Sequence, residues 1–336
     1  MTAQRANRGQ GEDGTVVTRF APSPTGRLHL GHAASAIAAY DLARARGGRF
    51  LLRIEDLDGT RRRPEHVAAI LADLAWLGLE WEGPVFQSER LPLYAAALAR
   101  LQAAALVYPC FCTRAEIAAA SLQAPHGPEP AYPGTCRRLV APDLARAHSW
   151  RLDVAKALAI LPGTGRGTDA PRRGGGGGSD PGGPPGAERP PPCPLHGRGP
   201  PPRSGEELWW HDATVGWIEA DPAAHGDVIL ARKDAPASYH LAVTVDDAAQ
   251  GVTDVVRGVD LFAATHVHRL LQALLGLPTP RYHHHPLLTG PDGARLAKRH
   301  GSPTLAARRD AGEDGTQVAA ALRAGRLPVG FAAASA

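Results

Sequence analysis

The chain has 336 residues, 43% of them apolar, and carries a formal charge of +4 at pH 7. That length allows one large or two modest domains with a sizeable core, and no apolar run approaches the ~20 residues of a membrane span. The basic balance permits a nucleic-acid partner but does not by itself identify one.

Residues 1–14 are polar and lack the apolar stretch of a signal peptide, so they read as a short disordered lead. A cytoplasmic location without a membrane partner is expected. Thr15 to Phe20 is extended and feeds a Pro- and Gly-rich turn. An Ala-rich helix follows from about Ala33 to Arg46, ended by Gly47-Gly48. Arg49 to Ile54 reads as a buried parallel strand that finishes in Glu55-Asp56-Leu57-Asp58. A second helix starts at Pro64, a favourable first-turn residue, and Val67, Ile70, Leu71, Leu74 and Leu77 give it helical spacing. A third runs from about Leu91 to Leu106.

Downstream of the cysteines at 110 and 112, Trp150 to Val154 reads as a strand. Composition then shifts. From about Leu161 to Gly205 the chain is mostly Gly, Pro and Arg, with five consecutive glycines from Gly174, and cannot bury a core. Order returns at Leu208-Trp209-Trp210. Asp227 to Arg232, Tyr239 to Val245 and Val252 to Arg257 read as strands, Asp260 to Leu275 as a helix, and Arg281 to Leu288 as extended. The last thirty residues are Ala- and Arg-rich with weak patterning. The expected divisions are therefore the lead 1–14, a first half of the core 15–109, a small insertion 110–160, a disordered insertion 161–206, a second half of the core 207–305 and a tail 306–336.

Three constellations carry chemistry. The first is Arg19-Phe20-Ala21-Pro22-Ser23-Pro24-Thr25-Gly26-Arg27-Leu28-His29-Leu30-Gly31-His32, the strand–turn–helix layout of a nucleotide site in a parallel α/β sheet. Backbone N–H groups at the helix start can face phosphates, and Gly31 lets a ligand approach. His29 and His32 can donate to phosphate oxygens as charge grows in a nucleotidyl transfer. Arg19 offers a fork for a carboxylate, and Glu55 ends a strand beside the ligand crevice. The second is the basic loop Gly293-Ala294-Arg295-Leu296-Ala297-Lys298-Arg299, which read alone is a solvated loop.

The third is Cys110-Phe111-Cys112 with Tyr132 and Cys136. Four cysteines in a chain of this length make no disulfide framework, and without a secretion signal metal binding is the better reading. Thiolates suit Zn²⁺, which takes four donors in a tetrahedron. On the residues alone the fourth donor stays open. His126 or water would serve, whereas the Tyr132 phenol, with a pKa near ~10, would need the metal to lower it. Cys193 and His196 in the Gly/Pro insertion are a weaker pair. His283, His284 and His285 alternate faces along a strand and make a poor shared metal site.

His29-Leu30-Gly31-His32 resembles the His-Ile-Gly-His signature of class I aminoacyl-tRNA synthetases, and the residues before it resemble the glutamyl branch of that class. The basic loop resembles the Lys-Met-Ser-Lys-Ser loop, with Lys298 at its second lysine. Arg295 keeps charge at the first lysine, while Ala297 and Arg299 replace serines. The Cys-x-Cys…Tyr-x-x-x-Cys pattern is similar to the zinc site of the glutamyl-Q tRNA(Asp) synthetase subfamily, and that resemblance identifies Tyr132 as the fourth ligand of one structural Zn²⁺. Only thirty-seven residues follow Arg299, so no anticodon-binding domain is expected.

The resemblance implies an α/β fold with the Rossmann-like parallel sheet of class I synthetases and a small zinc-containing insertion. It implies catalytic His29, His32 and Lys298, with Gly31 joining them at ATP, which would carry Mg²⁺. It implies a glutamate pocket in which Arg19 pairs with the side-chain carboxylate, Glu55 holds the α-amino group, and Ala21, Ser23, Tyr239 and Arg257 line the site. The implied activity is ATP-dependent activation of L-glutamate and its transfer to the queuosine cyclopentenediol in the anticodon of tRNA(Asp), by a monomer. The rivals are a truncated glutamyl-tRNA synthetase charging a 3′ end and a non-catalytic tRNA-binding paralogue.

Overall fold

The computed structural model describes residues 15–58, 63–113, 115–117, 132–161, 208–290, 296, 303–328 and 331–333. Strand β1 (Val17–Phe20) is buried throughout and pairs in parallel with β2 (Arg49–Ile54), which pairs in parallel with β3 (Glu82–Phe86). Unbroken apolar runs such as Phe50-Leu51-Leu52 suit strands covered on both faces. The crossovers are the helices α1 (Leu30–Ala45) and α2 (Pro64–Trp76).

On its other side β1 meets the second half of the molecule. Val17 N donates to Thr253 Oγ1 at 2.9 Å, and Val17 O accepts from Thr253 N at 3.0 Å. Thr253 leads into β9 (Asp254–Gly258), whose parallel neighbour is β10 (Arg281–His285). β10 continues in parallel to β6 (Trp209–Asp212), and β7 (Gly216–Glu219) closes that edge antiparallel. The sheet thus runs outward in two directions from the β1/β9 junction. That junction is the switch point at which open α/β sheets hold ligands.

Helix α3 (Leu91–Ala103) precedes a small antiparallel sheet of β4 (Val107–Cys110), β5 (Ser149–Leu152) and β8 (Ile229–Ala231). Helix α4 (Val154–Ile160) follows β5, capped by Asp153, whose Oδ1 accepts from Lys156 N at 3.0 Å.

Tyr239 to Val245, expected as a strand, instead opens helix α5 (Tyr239–Ala249). Ser238 caps it through Oγ, which accepts from Leu241 N. Every side chain from Leu241 to Asp247 is buried, because α5 lies against α3, β8 and α6 (Ala264–Leu275). A helix covered all round has no polar face, so its β-branched run shows no 3.6-residue period.

The weakly patterned end forms two short helices, α7 (Leu305–Asp310) and α8 (Gly315–Arg323), and a strand β12 (Ala332–Ala333) that pairs with β11 (Leu288–Thr289). Helix α8 packs on α1. A Cβ on Gly315 would sit 2.1 Å from the Trp76 carbonyl oxygen, so only glycine lets α8 come this close to the end of α2. Among the described residues no helix is long and apolar enough to cross a membrane. Residues 1–14, most of the expected insertion 161–206 with Cys193 and His196, and also His126 and Lys298, lie outside the described residues.

Candidate active site

A cavity of about 310 Å³ opens at the β1/β9 junction. Its walls include Arg19, Ala21, Ser23, His29, Gly31, His32, Glu55, Tyr239 and Arg257. The residues expected at a nucleotide and those expected at an amino acid therefore share one space, although Tyr239 and Arg257 lie more than two hundred positions from His29 and His32 in the chain.

The two imidazoles belong to the start of α1. His29 is its N-cap: His29 Nδ1 accepts from Gly31 N at 3.1 Å, and His32 Nδ1 accepts from His29 N at 3.2 Å. The ring centroids are 3.9 Å apart. With both Nδ1 atoms acting as acceptors, each neutral ring carries its proton on Nε2, the form in which Nε2 is a donor. A Cβ on Gly31 would come within 3.0 Å of the His29 ring, so the glycine is needed for this cap as well as for ligand approach.

Behind the pocket lies a buried frame of paired charges. Arg19 Nε donates to Asp247 Oδ1 at 3.0 Å, and Arg53 Nη2 donates to the same oxygen at 2.8 Å. Arg53 Nη1 continues to Gln250 Oε1 at 2.7 Å. Asp246, the neighbour of Asp247 on α5, is held by Gln87 Nε2, Arg90 Nε and Tyr94 Oη at 2.9, 2.6 and 2.8 Å. Burial raises the Asp247 carboxyl, but Arg19 and Arg53 overcome it and hold the group below the usual carboxylate range. Burial dominates at Glu55. Its carboxyl is pushed up to about 7, against the pull of Arg53 and Arg19. Arg257, buried at the end of β9, faces Tyr239 Oη at 3.4 Å.

Lys298 falls outside the described residues, but its flanks are anchored at the cavity. Leu296 lines it and donates its N–H to Leu288 O at 3.0 Å, and Thr304 pairs backbone with His29.

The cysteines gather away from this cavity, at the end of the small sheet. The sulfurs of Cys110, Cys112 and Cys136 all lie within 4.8 Å of one another. Cys112 Sγ and Cys136 Sγ are 3.6 Å apart, and Tyr132 Oη is 3.4 Å from both Cys110 Sγ and Cys112 Sγ. A tetrahedron with metal–sulfur bonds of ~2.3 Å and a metal–oxygen bond of ~2.0 Å has S···S edges of ~3.8 Å and S···O edges of ~3.5 Å. The Cys112–Cys136 spacing and the two Tyr132–sulfur spacings match those edges, and all three sulfurs are close enough to share one ion, so the donor set fits a metal ion. Tyr132 Oη also accepts from Cys136 N at 3.0 Å, which favours a phenolate-like oxygen. Without a cation, two of these groups resist ionising. Burial pushes the Cys112 thiol up to about 11 and raises the Tyr132 phenol well above its usual value. The Cys136 thiol, though also raised by burial, is brought below its ordinary value by hydrogen bonds from Tyr132, Phe111 N–H and the other two thiols.

Residues 15–149 and 199–328 match the family described as tRNA synthetases class I (E and Q), catalytic domain. A glutamyl-Q tRNA(Asp) synthetase from Rhodobacter capsulatus is 46% identical over 308 residues, covering 88% of this chain and 96% of that one. The chain belongs to the glutamyl-Q tRNA(Asp) synthetase family. Another member, from Symbiobacterium thermophilum, is 43% identical across 88% of this chain and 81% of its own. The fold is also that of a crystallised glutamate tRNA ligase from Elizabethkingia meningosepticum, with TM-score 0.61 at 24% identity over 86% of this chain. This chain spans only about half of that ligase, 54% of its length.

In this glutamyl-Q tRNA(Asp) synthetase family member, the structure brings the expected pocket residues together, Lys298 excepted, and brings the four expected metal ligands together at a second place. Sequence reading missed Asp246, Asp247 and Arg53, the charged frame behind the pocket. An Asp-Asp pair inside an apolar run was the available signal, since buried acids need cationic partners.

Proposed function

We propose that the enzyme activates L-glutamate with ATP and transfers it to the queuosine cyclopentenediol in the anticodon of a tRNA(Asp). The glutamate α-carboxylate attacks the α-phosphorus, pyrophosphate leaves, and glutamyl-adenylate remains. A hydroxyl of the cyclopentenediol then attacks the activated carbonyl, forming an ester and releasing AMP. The observation that carries this reading is one cavity lined by the His29/His32 helix start, two buried arginines and Glu55.

Each part has a physical role. His29 and His32 offer Nε2–H donors to phosphate oxygens, and Lys298 adds a cation for the charge that develops there. Arg19 and Arg257 suit the side-chain carboxylate of glutamate. Glu55 suits its α-ammonium, while Ala21, Ser23 and Tyr239 bound the space. Mg²⁺ accompanies ATP as its usual counter-ion. Cys110, Cys112, Tyr132 and Cys136 would hold one Zn²⁺, which when bound supplies structural cross-linking. The chain is proposed to work in the cytoplasm as a monomer.

Identities of 46% and 43% to relatives named glutamyl-Q tRNA(Asp) synthetase, over most of their length, support queuosine over a tRNA 3′ end as acceptor. ATP–pyrophosphate exchange across a panel of amino acids tests the first half-reaction. Exchange is expected with glutamate, without tRNA. Exchange supported better by glutamine, or seen only with tRNA, would reject the reading.

A further inference from the structure

Arg19 and Arg257 both line the cavity, but they are held in opposite ways. Arg19 is bound to the Asp247 carboxylate. Arg257 is 5% exposed, and among the described residues no carboxylate lies within ion-pair distance of it. Its guanidinium donates instead to neutral groups: Nε to His284 Nε2 at 3.1 Å, Nη1 to His268 Nδ1 at 3.3 Å and to Tyr239 Oη at 3.4 Å, and Nη2 to Thr265 Oγ1.

A guanidinium has donors only, so each imidazole nitrogen facing it must present a lone pair. That fixes two tautomers. His284 carries its proton on Nδ1 and gives it to Asp212 Oδ2 at 2.8 Å. His268 carries its proton on Nε2 and gives it to His240 Nδ1 at 3.1 Å. Asp212 is fully buried and acts only as an acceptor. Its Oδ2 also takes His284 N–H at 3.2 Å, and its Oδ1 takes Thr214 N–H at 2.8 Å and Val215 N–H at 3.1 Å. Burial first, then Arg257, keeps His268 neutral, and burial keeps His284 below its usual range against the pull of Asp212.

We propose that Asp212 and His284 are positioning residues for recognition of the substrate's side-chain carboxylate. Asp212 locks His284 as a neutral acceptor, and His284 aims the Arg257 guanidinium without neutralising it. The uncompensated charge of Arg257 is thereby reserved for the carboxylate of the ligand, while Arg19 contributes through a pair already made. This inference rests on the reading of the cavity as a glutamate site.

The test is Asp212→Asn in the full chain. The amides of Thr214 and Val215 retain the Asn oxygen, so its NH₂ faces His284 and drives the imidazole proton to Nε2, against Arg257. The glutamate KM in pyrophosphate exchange should rise about ten-fold or more, as for loss of a charge-assisted hydrogen bond, with the ATP KM within about two-fold. His284→Gln keeps an acceptor and should fall much closer to wild type than His284→Leu. A glutamate KM within two-fold in Asp212→Asn, or glutamate and ATP KM rising together, would overturn the proposal. Nitrogen-15 NMR of the wild-type imidazoles is a check that needs no variant to fold: the Nδ1–H tautomer of His284 is expected, and an Nε2–H tautomer would overturn the proposal. Absence of glutamate-dependent exchange in wild type would instead reject the pocket assignment itself.

Discussion

Asp247 grips Arg19 with both oxygens, Nε to Oδ1 at 3.0 Å and Nη2 to Oδ2 at 3.4 Å, and both side chains are buried. Arg53 shares the same carboxylate. Replacing Asp247 by Asn would leave two buried guanidiniums facing each other. Removing one partner of a buried ion pair costs about 3–5 kcal/mol. Urea denaturation of Asp247→Asn should show a loss of that order, and a loss under about 1 kcal/mol would mean the frame is held by packing alone.

Glu55 gives the site a pH dependence. Its carboxyl, raised by burial to about 7, is protonated below that value and cannot then hold an ammonium group. The kcat/KM for glutamate should therefore rise as pH increases through about 7. Glu55→Gln should lower kcat/KM and flatten this limb, because the carboxyl that titrates near that pH is gone. A limb that survives in Glu55→Gln would assign it to another group.

Metal analysis should find about one zinc per chain. Cys110→Ser or Cys136→Ser should lose it. Tyr132→Phe removes only the phenolic oxygen that stands 3.4 Å from two sulfurs. Zinc affinity should fall in that variant, and full occupancy at unchanged affinity would assign the fourth position to water or His126. The cluster lies apart from the cavity, so zinc loss should damage transfer to tRNA more than glutamate activation.

Lys298→Ala should slow activation about a hundred-fold, or ~3 kcal/mol, as for one electrostatic group acting on developing charge. Thermal stability should hardly change. A rate within a few-fold of wild type would make Lys298 an ordinary loop charge.

The first half of the sheet was legible because its signals are local. Gly47-Gly48 stops one helix, Pro64 starts another, and the apolar run at 50–52 lies between them. Residues 239–245 were misread because burial on every side of α5 erased its period. The same helix hid Asp246 and Asp247, whose partners Arg19, Arg53 and Arg90 come from elements 156–228 positions away. The three histidines of β10 show the limit well. Their alternation was readable, but His283 goes to Asp254, His284 to Asp212 and His285 to Ser35, and these partners are set by sheet order. The helices α7 and α8 have short apolar faces completed by α1 and α2, and such faces leave little trace in sequence.

The most direct measurement of the central claim uses labelled glutamate, ATP and purified tRNA(Asp) with and without queuosine. Glutamate is expected only on queuosine-containing tRNA, with the label in the anticodon-loop fragment after nuclease digestion and none on the 3′-terminal adenosine. Equal charging of tRNA lacking queuosine, with the label on the 3′-terminal adenosine, would contradict the claim.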